Sequence, residues 1–499
     1  MGLMRTKSVE QSIRDTEKPE FQLRKALSAL DLTVFGIGVI IGTGLFVLTG
    51  QAAASYAGPA VALSYVVGGI ACALAALCYA EFASTVPVAG SAYTFSYATF
   101  GEFIAWLIGW DLILEFTLGA ATVSKGWSAY LVSVLESIGI KVPPWLYAAE
   151  GEGFSHDFFA VIVALGVTVV LVIGIKLSAR FNEVITALKV LVTLFIIGFG
   201  LFFIKAANLT PFIPPPKEQP EAYGGGLLDA FLLPRLLGID TIYGVTGIFT
   251  GAALVFFAYI GFDIVATTAE EARNPQRDMP IGILASLAIT TVLYIAASIV
   301  FTGVVRYTEL GTAAPAAEVL GATGFPAAEL VISTAILIGL TVVAMILILG
   351  QSRVAFAMSR DNLLPLWFSR VHPRFRTPYR ITIITGVVAA ILAFWLPLVT
   401  LGELVNIGTL SAFVLVSIGV IILRRTRPDL PRAFKVPGYP VVPILAAIVC
   451  LFVMGFLTIG TWLRFFVWMA IGLLVYFAYS RTHSRLAQSE PVEEAAQEI

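Results

Sequence analysis

Charge is what this chain has least of: 13% of its 499 residues are Asp, Glu, Lys or Arg, against 58% hydrophobic, and the mean hydropathy is +0.90. A soluble domain carries about twice that share of charge, so that class is excluded. Histidine is nearly absent too. His156, His372 and His483 lie in loops or a tail, which leaves carboxylates and lysine to carry any proton at membrane depth. The three cysteines, Cys72, Cys78 and Cys450, sit inside apolar runs without a CxxC or metal-ligand spacing. They read as small packing residues, and no metal or other cofactor is implied. No Ser, His or Cys constellation occurs at depth, so the chain does not read as an enzyme.

What is present in abundance is apolar runs of helix-spanning length. An α-helix needs about 20 residues to cross a hydrocarbon core of about 30 Å, and twelve such runs recur: 30–54, 60–85, 101–132, 157–175, 182–205, 246–271, 280–304, 328–350, 381–398, 402–424, 441–458 and 461–480. The first follows a polar stretch with no small-residue cleavage site and reads as a retained helix. Basic residues set the orientation. Of 31 lysines and arginines, 23 fall in the tails and even-numbered connections, which places both termini in the cytoplasm. Only Lys141, Lys205, Lys217, Arg235, Arg306 and Arg464 fall outside, and Lys125 and Lys189 lie within spans.

The chain therefore divides into a cytoplasmic amphipathic segment (1–29), a first five-helix unit (30–205), a Pro- and Gly-rich external loop (206–245), a second five-helix unit (246–424), a final helix pair (425–480) and a short acidic tail (481–499). The nearly uncharged connection 86–100 is expected to pack against the bundle as a short helix.

Two of the spans carry residues that an unbroken helix avoids. Gly42 and Gly44 interrupt the first, in Ile40-Ile41-Gly42-Thr43-Gly44. Each glycine costs about 1 kcal/mol against alanine in a helix interior, and the backbone groups freed by a break in lipid need partners. Gly261 interrupts the sixth span, in Phe257-Ala258-Tyr259-Ile260-Gly261-Phe262-Asp263. Glycine breaks at matching places in two five-helix halves point to an inverted-repeat transporter with its site at mid-membrane. At the first break, N–H groups of the outer half-helix around Thr43 and Gly44 suit a carboxylate, and carbonyls ending the inner half near Ile40 suit an ammonium group. Together they complement a zwitterionic amino-acid head.

Charges inside spans are costly and are normally paired or wet. Asp111 and Glu115 share one face of span three, which also carries Lys125; span five carries Glu183 and Lys189, and span six Asp263. With no carboxylate within four residues on its own helix, Lys189 is expected to pair across helices with Glu115. A lysine at such depth can exchange its proton during a cycle, so Lys189, Glu115 and Asp111 are the candidate proton-coupling groups. Asp263 is a candidate contact for a cationic side chain, with Lys125 or a helix terminus as its alternative partner.

These motifs, with Leu23-Arg24-Lys25-Ala26-Leu27, Tyr79-Ala80-Glu81-Phe82-Ala83, Pro87-Val88-Ala89-Gly90-Ser91-Ala92-Tyr93 and Glu270-Glu271 before Asn274-Pro275-Gln276-Arg277, resemble the amino acid–polyamine–organocation superfamily and within it the bacterial cationic amino acid transporters. The resemblance implies an all-α integral membrane protein of 12 transmembrane helices with a leucine-transporter-like fold of 5+5 inverted repeats, helices 1 and 6 broken at mid-membrane. It implies that the substrate carboxylate meets Thr43 and Gly44 and the ammonium the carbonyls of Ile40, Phe257 and Ile260. The side chain would point toward Gly119, Val123, Ser124, Asp263 and the stretch near Met345 and Leu347. Lys189 matches the fifth-helix lysine of proton-coupled relatives, which implies a proton rather than sodium as coupling ion. The expectation is a plasma-membrane symporter of cationic L-amino acids working by alternating access, its partners a small-molecule amino acid and membrane lipids, without nucleic acid. The apolar stretch near Leu347 keeps a neutral, alanine-like substrate or plain exchange open as the alternative, and an amino-acid-sensing receptor stands further off.

Overall fold

The computed structural model describes residues 25–86, 88, 91–147, 156–174, 179–218, 226–239 and 241–487. The amphipathic segment before Lys25, the acidic tail after Ala487, and parts of the 86–100 and 206–245 connections fall outside the described residues. The architecture is helical, with one short antiparallel pair, Lys217–Glu218 with Thr241–Ile242.

The first helix, α1 (Ala29–Ile40), starts at a capping box: Ser28 N donates to Asp31 Oδ2 (2.7 Å) and Asp31 N to Ser28 Oγ (3.4 Å). That exchange satisfies two of the donors a helix start leaves open. The helix stops at Ile41, which is extended. A second helical stretch begins at Gly44 and runs in π and α turns to Ala57, and Gly58 (φ +60°) turns the chain into α2 (Val61–Thr85). Next come α3 (Ser91–Thr99), the expected short helix, with Tyr93, Phe95 and Tyr97 buried, and α4 (Glu102–Ser137). Then follow α5 (Phe158–Ile173) and α6 (Ala179–Gly200).

The sixth expected span splits as well. Its first part, α7 (Gly244–Val255), tightens over Phe256–Tyr259, passes an extended Ile260 and Gly261 at φ +131°, and resumes as α8 (Phe262–Ala266). The remaining helices are α9 (Pro275–Val304), α10 (Pro326–Arg360), α11 (Tyr379–Trp395), α12 (Leu398–Thr426), α13 (Val441–Met454) and α14 (Ile459–Val475).

Eight helical stretches among the described residues are long and apolar enough to cross a membrane, and α1, α5, α11 and α13 are shorter apolar helices. The breaks explain part of that shortening: α1 ends after 12 residues because Ile41–Thr43 leaves the helix. In the interior, α4 packs along α10 and α12, and α9 lies against α1 and α2. The two interrupted elements thus meet inside a wall of continuous helices.

Candidate functional site

At the first break, the N–H groups of Leu45 and Phe46 both reach back to Gly42 O (3.1 and 3.2 Å). The outer half-helix therefore opens at Gly42, with the N–H groups of Thr43 and Gly44 at its N-terminal end, where orphan donors and the positive dipole end coincide. The second break lies directly against it. A Cβ on Gly44 would collide with the backbone of Ala258, and one on Gly261 would stand 2.8 Å from Val39 Cγ1. Glycine is required at 261 on two counts, the close approach and the positive φ.

Between the breaks lies a cavity of about 20 Å³, lined by Val39, Ile40, Gly42, Thr43 and Gly44 from the first, Phe257 and Ile260 from the second, Gly119 and Val123 from α4, and Val343 and Leu347 from α10. The Thr43 hydroxyl is fully buried at this cavity and has no hydrogen-bond partner among the described residues. Gly126 leaves it room, since a Cβ there would come 2.7 Å from Thr43 Oγ1. A buried hydroxyl without a partner costs about 1–3 kcal/mol, which a ligand accepting or donating at this point removes.

The freed carbonyls of both breaks are met by side chains. Lys189 Nζ donates to Gly38 O and to Ile41 O (3.2 Å). The Tyr294 hydroxyl lies 2.7 Å from Ile40 O and 2.9 Å from Ala258 O; Tyr130 donates to Phe46 O (2.7 Å), and Tyr65 lies 3.2 Å from Gly44 O. Asn406 Nδ2 reaches the last turn of α7 at Ala253 O (2.7 Å). Of these, only Lys189 stood out in the sequence. A tyrosine in mid-span was the available signal for Tyr65, Tyr130 and Tyr294, because its hydroxyl needs a partner wherever its ring is buried.

The sequence-derived set divides accordingly. Ile40, Gly42, Thr43, Gly44, Gly119, Val123, Phe257 and Ile260 come together at the cavity, with Leu347. Ser124 and Asp263 are not among its lining residues: the Ser124 hydroxyl donates to Ala120 O (2.8 Å), and Asp263 Oδ1 accepts the Gly261 N–H (3.1 Å) at the start of α8. Asp111 and Glu115 do share a face, which looks toward α12, where Ser411 donates to Asp111 Oδ2 (2.7 Å). Glu115 and Lys189 do not pair. Lys189 is taken by the carbonyls of Gly38 and Ile41, while neither Glu115 oxygen has a hydrogen-bond partner among the described residues and the neighbouring Thr409 hydroxyl turns to Val405 O (3.1 Å). The broken helix offers Lys189 nearer acceptors than a carboxylate on the opposite side of the core.

A larger cavity of about 170 Å³ opens at the end of the bundle where α1 begins, lined among others by Asp31, Phe35, Glu183, Thr267, Glu271 and Arg353. Arg353 approaches Glu271 at 3.7 Å across it.

Paired helix breaks facing an orphan hydroxyl are accompanied by a match along the chain: residues 27–479 fit the family model described as amino acid permease. The chain belongs to the amino acid permease family, within the amino acid–polyamine–organocation superfamily. This permease is 45% identical over 466 residues to the methylthioribose transporter of Bacillus subtilis (strain 168), covering 93% of the chain and 95% of that protein. It is 45% identical over 492 residues to the branched-chain amino acid permease BcaP of the same organism, covering 98% and 99%. To the vacuolar cationic amino acid transporter 4 of Arabidopsis thaliana it is 37% identical over 430 residues, covering 86% of this permease and 68% of the relative.

Proposed function

We propose that this permease is a proton-coupled symporter of L-amino acids that works by alternating access. Its reading as 12 transmembrane helices in two inverted five-helix repeats plus a final pair, with both termini cytoplasmic, rests on the matched breaks and the distribution of basic residues. The observation that carries the function is the unpartnered Thr43 hydroxyl at the cavity between the two breaks. With the N–H groups of Thr43 and Gly44 it forms a receptor for the substrate carboxylate. The ammonium group then meets carbonyls at Ile40, Phe257 and Ile260, with Tyr294 yielding its place at Ile40 O.

The end of the cavity that receives the side chain is built from Gly119, Val123, Val343 and Leu347. No charged residue lines that end to compensate a guanidinium or ammonium, and Asp263, whose Oδ1 accepts the Gly261 N–H, is not among the lining residues. The side-chain end thus favours neutral aliphatic substrates over the cationic ones, and the family's branched-chain relatives fit that preference. Lys189 couples the proton: with its charge it holds Gly38 O and Ile41 O by charge-assisted bonds, and as a neutral amine it holds them more weakly, which loosens the inner half-helix α1.

Uptake of radiolabelled leucine, alanine, arginine and lysine into proteoliposomes, with an imposed pH gradient or an imposed sodium gradient, tests all three claims. The expected result is leucine and alanine accumulation driven by pH and lost in Lys189→Ala. Accumulation driven by sodium alone refutes the coupling role of Lys189, and arginine or lysine outcompeting leucine returns the assignment to cationic substrates.

A further inference from the structure

Lys189 is 2% exposed, so its proton needs a route to water, and α6 itself carries groups for it. Glu183, Thr186 and Lys189 are spaced i, i+3 and i+6, so successive pairs are neighbours on a stripe that winds about 120° around the helix. Glu183 lines the 170 Å³ vestibule at the α1 end, together with Asn182 of the same helix and Phe35 of α1. One turn above it, Thr186 is 3% exposed and its hydroxyl has no hydrogen-bond partner among the described residues. That hydroxyl and the lysine ammonium converge on one residue. A Cβ on Gly38 would overlap Thr186 Oγ1, and Gly38 O accepts from Lys189 Nζ. The N-terminal end of α6 is the vestibule end, so Thr186 lies one turn nearer the vestibule than Lys189. From Glu183 to Lys189 the rise is about 9 Å along the helix axis.

We propose that Thr186 and Glu183 form the cytoplasmic proton route of Lys189, a reading that rests on the proton coupling proposed above. The Lys189 Nζ–H bond breaks as a water standing between the two side chains takes the proton and hands one of its own to Thr186 Oγ1, and the threonine's own hydroxyl proton passes through a vestibular water to the Glu183 carboxylate. Glu183 then returns it to the cytoplasm, leaving Lys189 neutral and every other group as it began. The other charged groups lining the vestibule are Asp31, bonded to Ser28, and the Arg353–Glu271 pair. From α9, the group facing this part of α1 is the Ser286 hydroxyl, against Gly36. None of these lies on the stripe between Glu183 and Lys189, and Thr186 is a positioning and relay group that makes no contact with the substrate cavity.

Thr186→Val keeps the shape and removes the hydroxyl, Thr186→Ser keeps the hydroxyl, and Glu183→Gln acts at an exposed position where folding is not at stake. In proteoliposomes, Thr186→Val and Glu183→Gln are expected to lower pH-driven leucine accumulation by about tenfold or more, with leucine counterflow retained and Thr186→Ser restoring the loss. A trapped pH dye should report slowed proton arrival during uptake in the two defective variants. Accumulation and proton arrival at parental rates in both Thr186→Val and Glu183→Gln overturn the route, as does loss of counterflow in step with accumulation in both. If the parent protein itself shows no pH-driven accumulation, it is the coupling reading that fails, before the route is reached.

Discussion

The Tyr294 hydroxyl of α9 stands between the Ile40 carbonyl (2.7 Å) and the Ala258 carbonyl (2.9 Å), one from each broken helix. A phenol has one proton, so it donates fully to only one of them at a time. Donation to Ala258 O would leave Ile40 O open for the substrate's ammonium group under the proposed function. Tyr294→Phe removes this tie while keeping the ring among Tyr65 and Tyr259. The expected cost is about 0.6–1.7 kcal/mol of stability, the size of an interhelical hydrogen bond in a membrane protein. Uptake kinetics should show a raised KM for leucine alongside a slightly lower Tm; unchanged KM would mean that the hydroxyl only fills space.

Gly44 is where the two breaks touch, since a Cβ on it would overlap the Cα and backbone nitrogen of Ala258. Backbone cannot swing aside as a flexible side chain does, so Gly44→Ala must push the outer half-helix away from the second break. That displacement enlarges the carboxylate receptor formed with Thr43. We expect uptake to fall to background while the protein remains extractable as a monodisperse species, with Gly42→Ala far milder because only Val343 and Leu340 side chains, at 3.6–4.0 Å, face it. Equal defects in the two variants would contradict the assignment of the contact to Gly44.

Much of this site was legible because broken transmembrane helices leave a trace in composition. Gly42, Gly44 and Gly261 stand out from runs of Ile, Leu, Val and Phe, and Gly42 and Gly44 line one cavity with Ile40, Thr43, Phe257 and Ile260 beside the breaks and with Gly119 and Val123, which the family resemblance supplied. Side-chain partnerships were less legible. Pairing Lys189 with Glu115 followed from charge alone, yet a broken helix supplies carbonyl oxygens, acceptors that no sequence pattern displays. For Asp263 the geometry matches the helix-terminus alternative: a residue two positions past a helix break serves that break, and its Oδ1 accepts the Gly261 N–H. Tyr65, Tyr130 and Tyr294 resemble packing aromatics in sequence, and only the positions of the freed carbonyls give their hydroxyls a role.

At the C-terminal end of α2, Glu81 binds Arg424 of α12 through Nε (2.7 Å) and Nη2 and also accepts the Val436 N–H (2.7 Å), so one carboxylate ties two helices to the following loop. Arg432 adds to the hold at 3.5 Å. Glu81 is 3% exposed, and removing one partner of such a buried pair leaves the other uncompensated, a loss of about 3–5 kcal/mol in full burial and less here because Arg424 keeps some solvent. Glu81→Gln should therefore lower Tm clearly. If the tie also restrains this end of the bundle during the cycle, Arg424→Gln will speed counterflow relative to pH-driven uptake, and a Tm loss with an unchanged ratio would assign the cluster to folding alone.

Leu347 sets the far wall of the cavity from α10, opposite Gly119, where a Cβ would already stand 3.4 Å from its methyl group. A hydrophobic pocket discriminates a methylene at about 1–3 kcal/mol. Truncation by Leu347→Ala should thus weaken leucine and alanine binding and admit a larger apolar side chain such as that of phenylalanine. Competition assays against radiolabelled leucine give the order directly: phenylalanine is expected to gain about tenfold or more relative to leucine. Arginine and lysine should gain nothing, because the truncated wall is still apolar and Asp263 still serves Gly261. Strong inhibition by arginine in Leu347→Ala would show instead that Asp263 or Glu115 can turn into the cavity once space is made, and the substrate class would then be set by the size of residue 347 rather than by the absence of a counter-charge.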